Sequence, residues 1–163
     1  MEIVHNVSAL THRHLISLIG CGIYINIAIK LLTCEASLYI CVEQGINEAF
    51  KFYDVKMYDE TENYIRLRKL SEFVNLSEEE IKSSGYIVHT LESAIWCLLN
   101  TNSYKECVLK AVNLGDDTDT VGAVVGGLAG IYYGADNIPK EWLDVLAKKQ
   151  YIESLCEKLS KIE

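Results

Sequence analysis

Apolar residues recur along this chain at helical spacings, and no stretch sustains a period of two. Leu15, Leu18, Ile19, Ile23, Ile25 and Ile29 leave little polar face, the pattern of a central helix. Thr11 is placed to cap it, after a lead-in over 1–10. Ile40, Val42, Ile46, Ala49 and Phe52 predict a second helix over 35–53, which Gly45 weakens or breaks. After a polar connection over 54–60, a third helix over 61–73 turns Tyr64 and Leu67 inward and Arg66, Arg68 and Lys69 outward. Ser77-Glu-Glu-Glu80 has the form of a capping box with a short helix behind it. Gly85-Tyr86 interrupts the chain before a helix over 89–99, and Asn100-Thr-Asn102 closes that helix and caps the next, over 103–113. A Gly/Ala-rich helix follows over 120–134. Pro139 then opens two amphipathic surface helices over 141–149 and 152–161. The pattern describes one all-α domain over 1–163, with no linker or repeat.

The Gly/Ala-rich helix stands out. Gly122, Gly126, Gly130 and Gly134 form one row along it. Each glycine costs roughly 1 kcal/mol against alanine inside a helix, so the row calls for a packing reason: a neighbouring helix drawn close, with 120–134 at the centre of the bundle. At its mouth stand three carboxylates (Asp116, Asp117, Asp119) and two hydroxyls (Thr118, Thr120). Hard divalent cations take such oxygen sets. The same residues also suit a plain helix N-terminus, where Asp and Thr cap free N–H groups. The spacing is not that of an EF-hand, whose Gly and distant Glu are missing.

Composition narrows the field. A net charge of −8 argues against binding a phosphate backbone, so no nucleic-acid partner is expected. The six cysteines show no C-x-x-C pair and lie among apolar residues, which reads as buried free thiols in a reducing, cytoplasmic setting rather than a zinc site. The apolar run Leu15–Ile29 falls short of the ~18–20 residues of a membrane span and lacks the basic flank of a signal peptide, so no membrane partner is expected either.

Three segments carry a resemblance: Ser84 to Thr101 (beginning Ser-Gly-Tyr-Ile-Val-His-Thr-Leu-Glu), Ala111 to Gly134 with Gly115-Asp-Asp-Thr-Asp-Thr120 inside it, and Ile138-Pro-Lys-Glu-Trp142. They are similar to the C-terminal half of the ADP-ribosylglycohydrolase family, which includes dinitrogenase-reductase-activating glycohydrolase and the ADP-ribosyl-acceptor hydrolases. The resemblance implies a compact, orthogonal all-α bundle and a hydrolase that cleaves ADP-ribose from modified proteins or small molecules with two magnesium or manganese ions. It makes Asp117, Asp119 and Thr120 metal ligands, after the family's Gly-Asp-x-Asp-Thr/Ser motif. Asp116 stands where that motif usually has Gly, and is read as solvated or supporting the ligands from behind. Ser8-Ala-Leu-Thr-His12 looks like the family segment whose histidine lies beside ADP-ribose, so His12 is a candidate substrate contact; the other reading is a histidine capping a helix. Gly85 and Tyr86 resemble a loop on the nucleotide side of the cleft. There Tyr86 stacks on a base or, on the bland reading, fills the core. His14 reads as surface and His89 as a buried, hydrogen-bonded structural residue.

The family's N-terminal half carries a Thr-Asp-Asp motif and an acidic proton acceptor, and neither is found in these 163 residues. No catalytic residue is therefore assigned. The expectation is a truncated hydrolase, inactive alone, holding at most one cation weakly and associating with itself or with a complementing half. The alternative is a non-catalytic helical binding protein that keeps half a metal site.

Overall fold

In the computed structural model, residues 1–161 are described, Tyr58 by its backbone alone. Ten α-helices and three short 3-10 turns follow one another, with no strand among the described residues. The expected lead-in is itself a helix, α1 (Glu2–Ser8), lying on α2 (Leu15–Thr33). The cap of α2 is His14 rather than Thr11: the His14 ring accepts the Ile16 N–H at 3.3 Å. The helix runs on through Lys30 to nineteen residues, so by length and composition it could cross a membrane, which the shorter run Leu15–Ile29 did not suggest. Within the protein, Ile19, Ile23 and Ile27 stack at i, i+4, i+8 and are fully buried. They face α3 (Leu38–Tyr53), which contributes Val42, Ile46 and Ala49.

Gly45 does not break α3. It lies against α2 so closely that a Cβ there would stand 2.5 Å from Ile27 Cα. The close helix approach expected of the glycine row is made here instead. Two tyrosines lock the same layer: the Tyr53 hydroxyl donates to the Leu18 carbonyl at 3.1 Å and the Tyr64 hydroxyl to that of Ile16 at 2.9 Å. A buried phenol keeps its partner this way.

The single helix expected over 61–73 is broken into α4 (Tyr58–Thr61), a 3-10 stretch (Glu62–Lys69) and α5 (Leu70–Phe73). Tyr64 and Leu67 point inward as the pattern predicts. Arg66 and Arg68 are not simply outward. Arg66 reaches the buried Glu92 at 2.9 Å, and Arg68 pairs with Asp54. The capping box at Ser77 is present, ahead of a 3-10 turn over Glu78–Glu80.

The next helix, α6 (Ile87–Leu99), is buried continuously from Val88 to Leu98 but for His89, and occupies the middle of the bundle. It is followed by α7 (Tyr104–Asn113), capped by Ser103 Oγ rather than by Asn100–Asn102, and by α8 (Thr118–Tyr133). Helix α8 packs on α7, α6 and α2 through Val121, Val125, Leu128 and Ala129, while Thr120, Ala123 and Gly127 stay exposed. It is thus one wall of the bundle rather than its centre. Gly122, Gly126 and Gly130 face the side chains of α7, and a Cβ at Gly126 would meet Tyr104 Oη at 3.5 Å and Val108 Cγ2 at 3.9 Å, both ordinary contacts. Beyond it, α9 (Lys140–Asp144) and α10 (Lys149–Leu159) are separated by Lys148 at φ 58. Of the cysteines, only Cys41, Cys97 and Cys107 are buried, and Cys156 is exposed; all six are free.

Candidate active site

The N-terminal end of α8 and the loop before α6 are built as one unit. Ser83 Oγ donates to the Gly115 carbonyl at 3.0 Å, and the Asp117 N–H donates to the Ser83 carbonyl at 3.1 Å. Gly115 and Asp116 both take positive φ, 91° and 55°. Aspartate is among the few non-glycine residues that tolerate this region, which gives a physical reason why glycine suits the position of Asp116. The Asp116 side chain is exposed.

Asp117 is the N-cap of α8 by position, yet its carboxylate makes no capping bond to the helix backbone. Oδ1 instead accepts the Thr120 hydroxyl at 2.8 Å, and Oδ2 faces Gly85. Simple capping therefore does not account for this side chain. Asp119 is exposed in the first turn of the helix. Asp117 and Thr120 are together; Asp119 and Asp116 do not join them in a closed set, and among the described residues no three His, Cys, Asp or Glu side chains gather into a metal-holding group. The donor chemistry fits a hard cation on one side, with carboxylate and hydroxyl oxygens.

Beside this corner lies a cleft of about 540 Å³ between α2, the α1–α2 loop, the start of α6 and α8. Its wall includes His12, Gly85, Tyr86 and Thr120, brought together from three separate stretches of sequence, while Asp116, Asp117 and Asp119 are not part of the lining. His12 does not cap a helix; it is exposed, with Nδ1 3.1 Å from Thr11 Oγ1. His14, which caps α2, also lines the cleft. Tyr86 is not in the core: it is 44% exposed, its hydroxyl 3.4 Å from Asn63 Oδ1. Ser17 and Cys21, on a face of α2 that the apolar pattern does not single out, also line the cleft, together with Ser8 and Thr90. Thr90 Oγ1 donates to the Ser84 carbonyl at 3.2 Å and so fixes the loop from below. His89 is half-buried, and its pKa is pushed down by burial first and then by the charges of Lys82 and Arg66.

Comparison with known proteins bears on this geometry. Residues 1–163 match the ADP-ribosylglycohydrolase family. A stretch of 95 residues, 58% of the chain, is 44% identical to an ADP-ribosylarginine hydrolase of Serratia proteamaculans and covers 26% of that protein. Over 68 residues the identity is 44% with the ADP-ribosyl-dinitrogen reductase glycohydrolase of Rhodospirillum rubrum, 42% of this chain and 23% of the relative. ADP-ribosylhydrolase ARH3 of Homo sapiens is 28% identical over 115 residues, 60% of this chain and 32% of the relative. The matched stretches thus span about a quarter to a third of these curated relatives.

Proposed function

Because the chain belongs to the ADP-ribosylglycohydrolase family, we propose that its cleft receives the ADP-ribose part of a modified protein or small molecule and takes part in hydrolysing the N- or O-glycosidic bond. The observation that carries this reading is the convergence of His12, Gly85, Tyr86 and Thr120 on one cleft beside the Asp117 carboxylate. Tyr86 offers an exposed ring for stacking and His12 an exposed imidazole for a ribose or phosphate oxygen. Asp117, Asp119 and Thr120 would hold a magnesium or manganese ion, and bound there the metal would orient ribose hydroxyls or polarise a water. In the reaction, a water oxygen bonds to the anomeric carbon, the bond from that carbon to the side-chain nitrogen or oxygen breaks, and the departing atom takes a proton.

Arginine-linked ADP-ribose is the favoured substrate, since a relative named as an ADP-ribosylarginine hydrolase shares 44% identity. The reading requires the remaining ligands and the base of the Thr-Asp-Asp half, so the 163 residues alone are taken to be inactive or nearly so. Hydrolysis of ADP-ribosyl-arginine, with and without magnesium and with and without a complementing half, tests it. Metal-dependent turnover that vanishes in Asp117→Ala supports the reading; a complemented protein that neither binds ADP-ribose nor turns over sinks it. A second reading, a non-catalytic binding protein, is favoured by the cleft's lining, which takes in His12 and Tyr86 but leaves Asp116, Asp117 and Asp119 outside it. ADP-ribose binding without turnover in the complemented protein would select it.

A further inference from the structure

Tyr86 forms part of the cleft wall from the N-cap position of α6, where its carbonyl accepts the Thr90 N–H at 3.0 Å, so the helix holds the carbonyl but not the N–H or the ring. The Tyr86 N–H donates to Ser84 Oγ at 3.4 Å, and Ser84 Oγ stands 2.7 Å from His89 Nδ1. The His89 ring in turn meets the Tyr86 ring edge to face, with centroids 5.2 Å apart. One imidazole thus touches both the hydroxyl that holds the Tyr86 backbone and the Tyr86 ring itself, while staying out of the cleft lining.

We propose that His89 is a positioning residue: through Ser84 and through its own ring face it sets the Gly85–Tyr86 wall of the cleft, and so the fit of the ligand's flat rings. The inference rests on reading the cleft as an ADP-ribose site. The chemistry requires a neutral imidazole. With its proton on Nε2, His89 accepts the Ser84 O–H at Nδ1, leaving a Ser84 lone pair for the Tyr86 N–H. Burial and the positive charges of Lys82 and Arg66 favour that neutral form. Thr90 anchors the carbonyls of Ser84 and Tyr86, at 3.2 and 3.4 Å, but touches neither the Ser84 hydroxyl nor the Tyr86 ring. The ring of Tyr86 therefore depends on His89 in a way its carbonyl does not.

The test compares His89→Ala with His89→Asn, whose amide oxygen falls near the place of Nδ1. Amide hydrogen exchange on the full chain reads the loop directly. At Tyr86 the alanine variant is expected to exchange about tenfold faster, the loss of one modest hydrogen bond. The asparagine variant is expected to stay within about twofold of the parent. Core amides of α6 such as Ile95 and Leu98 should not change in either. Unchanged exchange at Tyr86 in His89→Ala overturns the proposal. So does an asparagine variant no better than alanine, or core amides that accelerate equally, since either makes His89 a plain packing residue. Calorimetric titration with ADP-ribose adds the ligand: affinity should drop in the alanine variant and return in part in the asparagine one, which restores the bond to Ser84 but not the ring contact, and affinity equal in all three overturns the link to ligand fit. If the parent and the complemented protein bind no ADP-ribose while the exchange pattern holds, the reading of the cleft fails and His89 stands as the support of the wall alone.

Discussion

Gly85 and Asp117 stand so close that a methyl group on Gly85 would lie 2.7 Å from Asp117 Oδ2. The loop before α6 thus presses on the one carboxylate of the acidic run that is held in place. Gly85 has no positive φ, so alanine there is not strained in the backbone. What must give way is the end of the Asp117 side chain. Gly85→Ala is expected to cost less than about 1 kcal/mol of stability, yet to disturb the Asp117–Thr120 pair. Thermal melting should change little, while cation affinity falls. A large loss of stability would mean that the loop cannot yield at this contact.

The glycines of α3 and α8 separate two kinds of small-residue position. At Gly45 a methyl group meets the backbone of Ile27, 2.5 Å from Cα and 2.7 Å from N, and neither helix can move aside cheaply. Gly45→Ala is expected to cost about 3 kcal/mol or more, as overpacking does at its upper end. At Gly126 the nearest atom is the end of Tyr104, at ordinary contact distance. Gly126→Ala should be neutral or stabilising by up to about 1 kcal/mol, from helix propensity alone. Urea melts of the two variants decide the matter; equal losses would mean that both glycines are packed alike.

Two arginine–carboxylate pairs titrate in opposite directions. Asp54 has its pKa lowered, chiefly by the hydrogen bonds of Arg68. A carboxyl whose native pKa is depressed adds stability above the unfolded carboxylate range and loses it as pH falls through the native value. Glu92 is raised, because burial outweighs Arg66 and leaves Oε1 without a partner. Its contribution is present at acid pH and is lost as pH rises through its native value. Asp54→Asn should therefore melt lower than the parent at neutral pH, by about 1 kcal/mol or less given its partial exposure, with the gap closing in acid. Glu92→Gln should gain on the parent as pH rises. Melting curves across acid and neutral pH test both, and parallel curves for either pair would contradict the assignment.

Much of this architecture is legible in the sequence because it is local. The i, i+4 isoleucines of α2 and the capping box at Ser77 need no tertiary information, and the structure follows them. What escaped is relational. Gly45 resembles a helix breaker until the backbone of Ile27 is seen against it. Arg66 looks like a surface cation until Glu92, twenty-six residues on, is found buried beneath it. Tyr86, which the sequence left between a cleft role and the core, is decided only by the loop before α6, which turns it outward into the cleft wall. At the site, the acidic run is plain in the sequence, whereas Ser83 tying the loop to Gly115 and Asp117 is a long-range contact that no spacing announces.

Self-association is a further expectation. Ile3 and Val7 on α1 are 78% and 61% exposed, and Tyr151 and Leu159 on α10 are 62% and 67% exposed. Apolar surface of this kind seeks cover. Sedimentation at tens of micromolar should find dimers or larger species, and Ile3→Glu with Val7→Glu should shift the population toward monomer. A parent that sediments as a monomer and melts cooperatively contradicts this.

The metal is tested on the acidic corner itself. Asp117 and Thr120 already share a hydrogen bond, and if Asp119 turned toward them the three would offer about three oxygens to one side of a cation. Magnesium asks for six ligands in near-octahedral order, so water must fill the remaining positions and affinity should be weak, on the order of 10⁻⁴–10⁻³ M. Manganese should bind more tightly than magnesium, since it stands higher in the affinity order for such ligands and accepts less regular geometry. Cation binding also requires the Thr120 hydroxyl to release Asp117 Oδ1 or to turn its lone pair toward the ion. Thr120→Val should therefore weaken binding less than the double variant Asp117→Ala with Asp119→Ala, which should abolish it. Manganese titration followed by water-proton relaxation reads all three proteins. An unchanged titration in the double variant would leave these residues as the helix start and the loop anchor only.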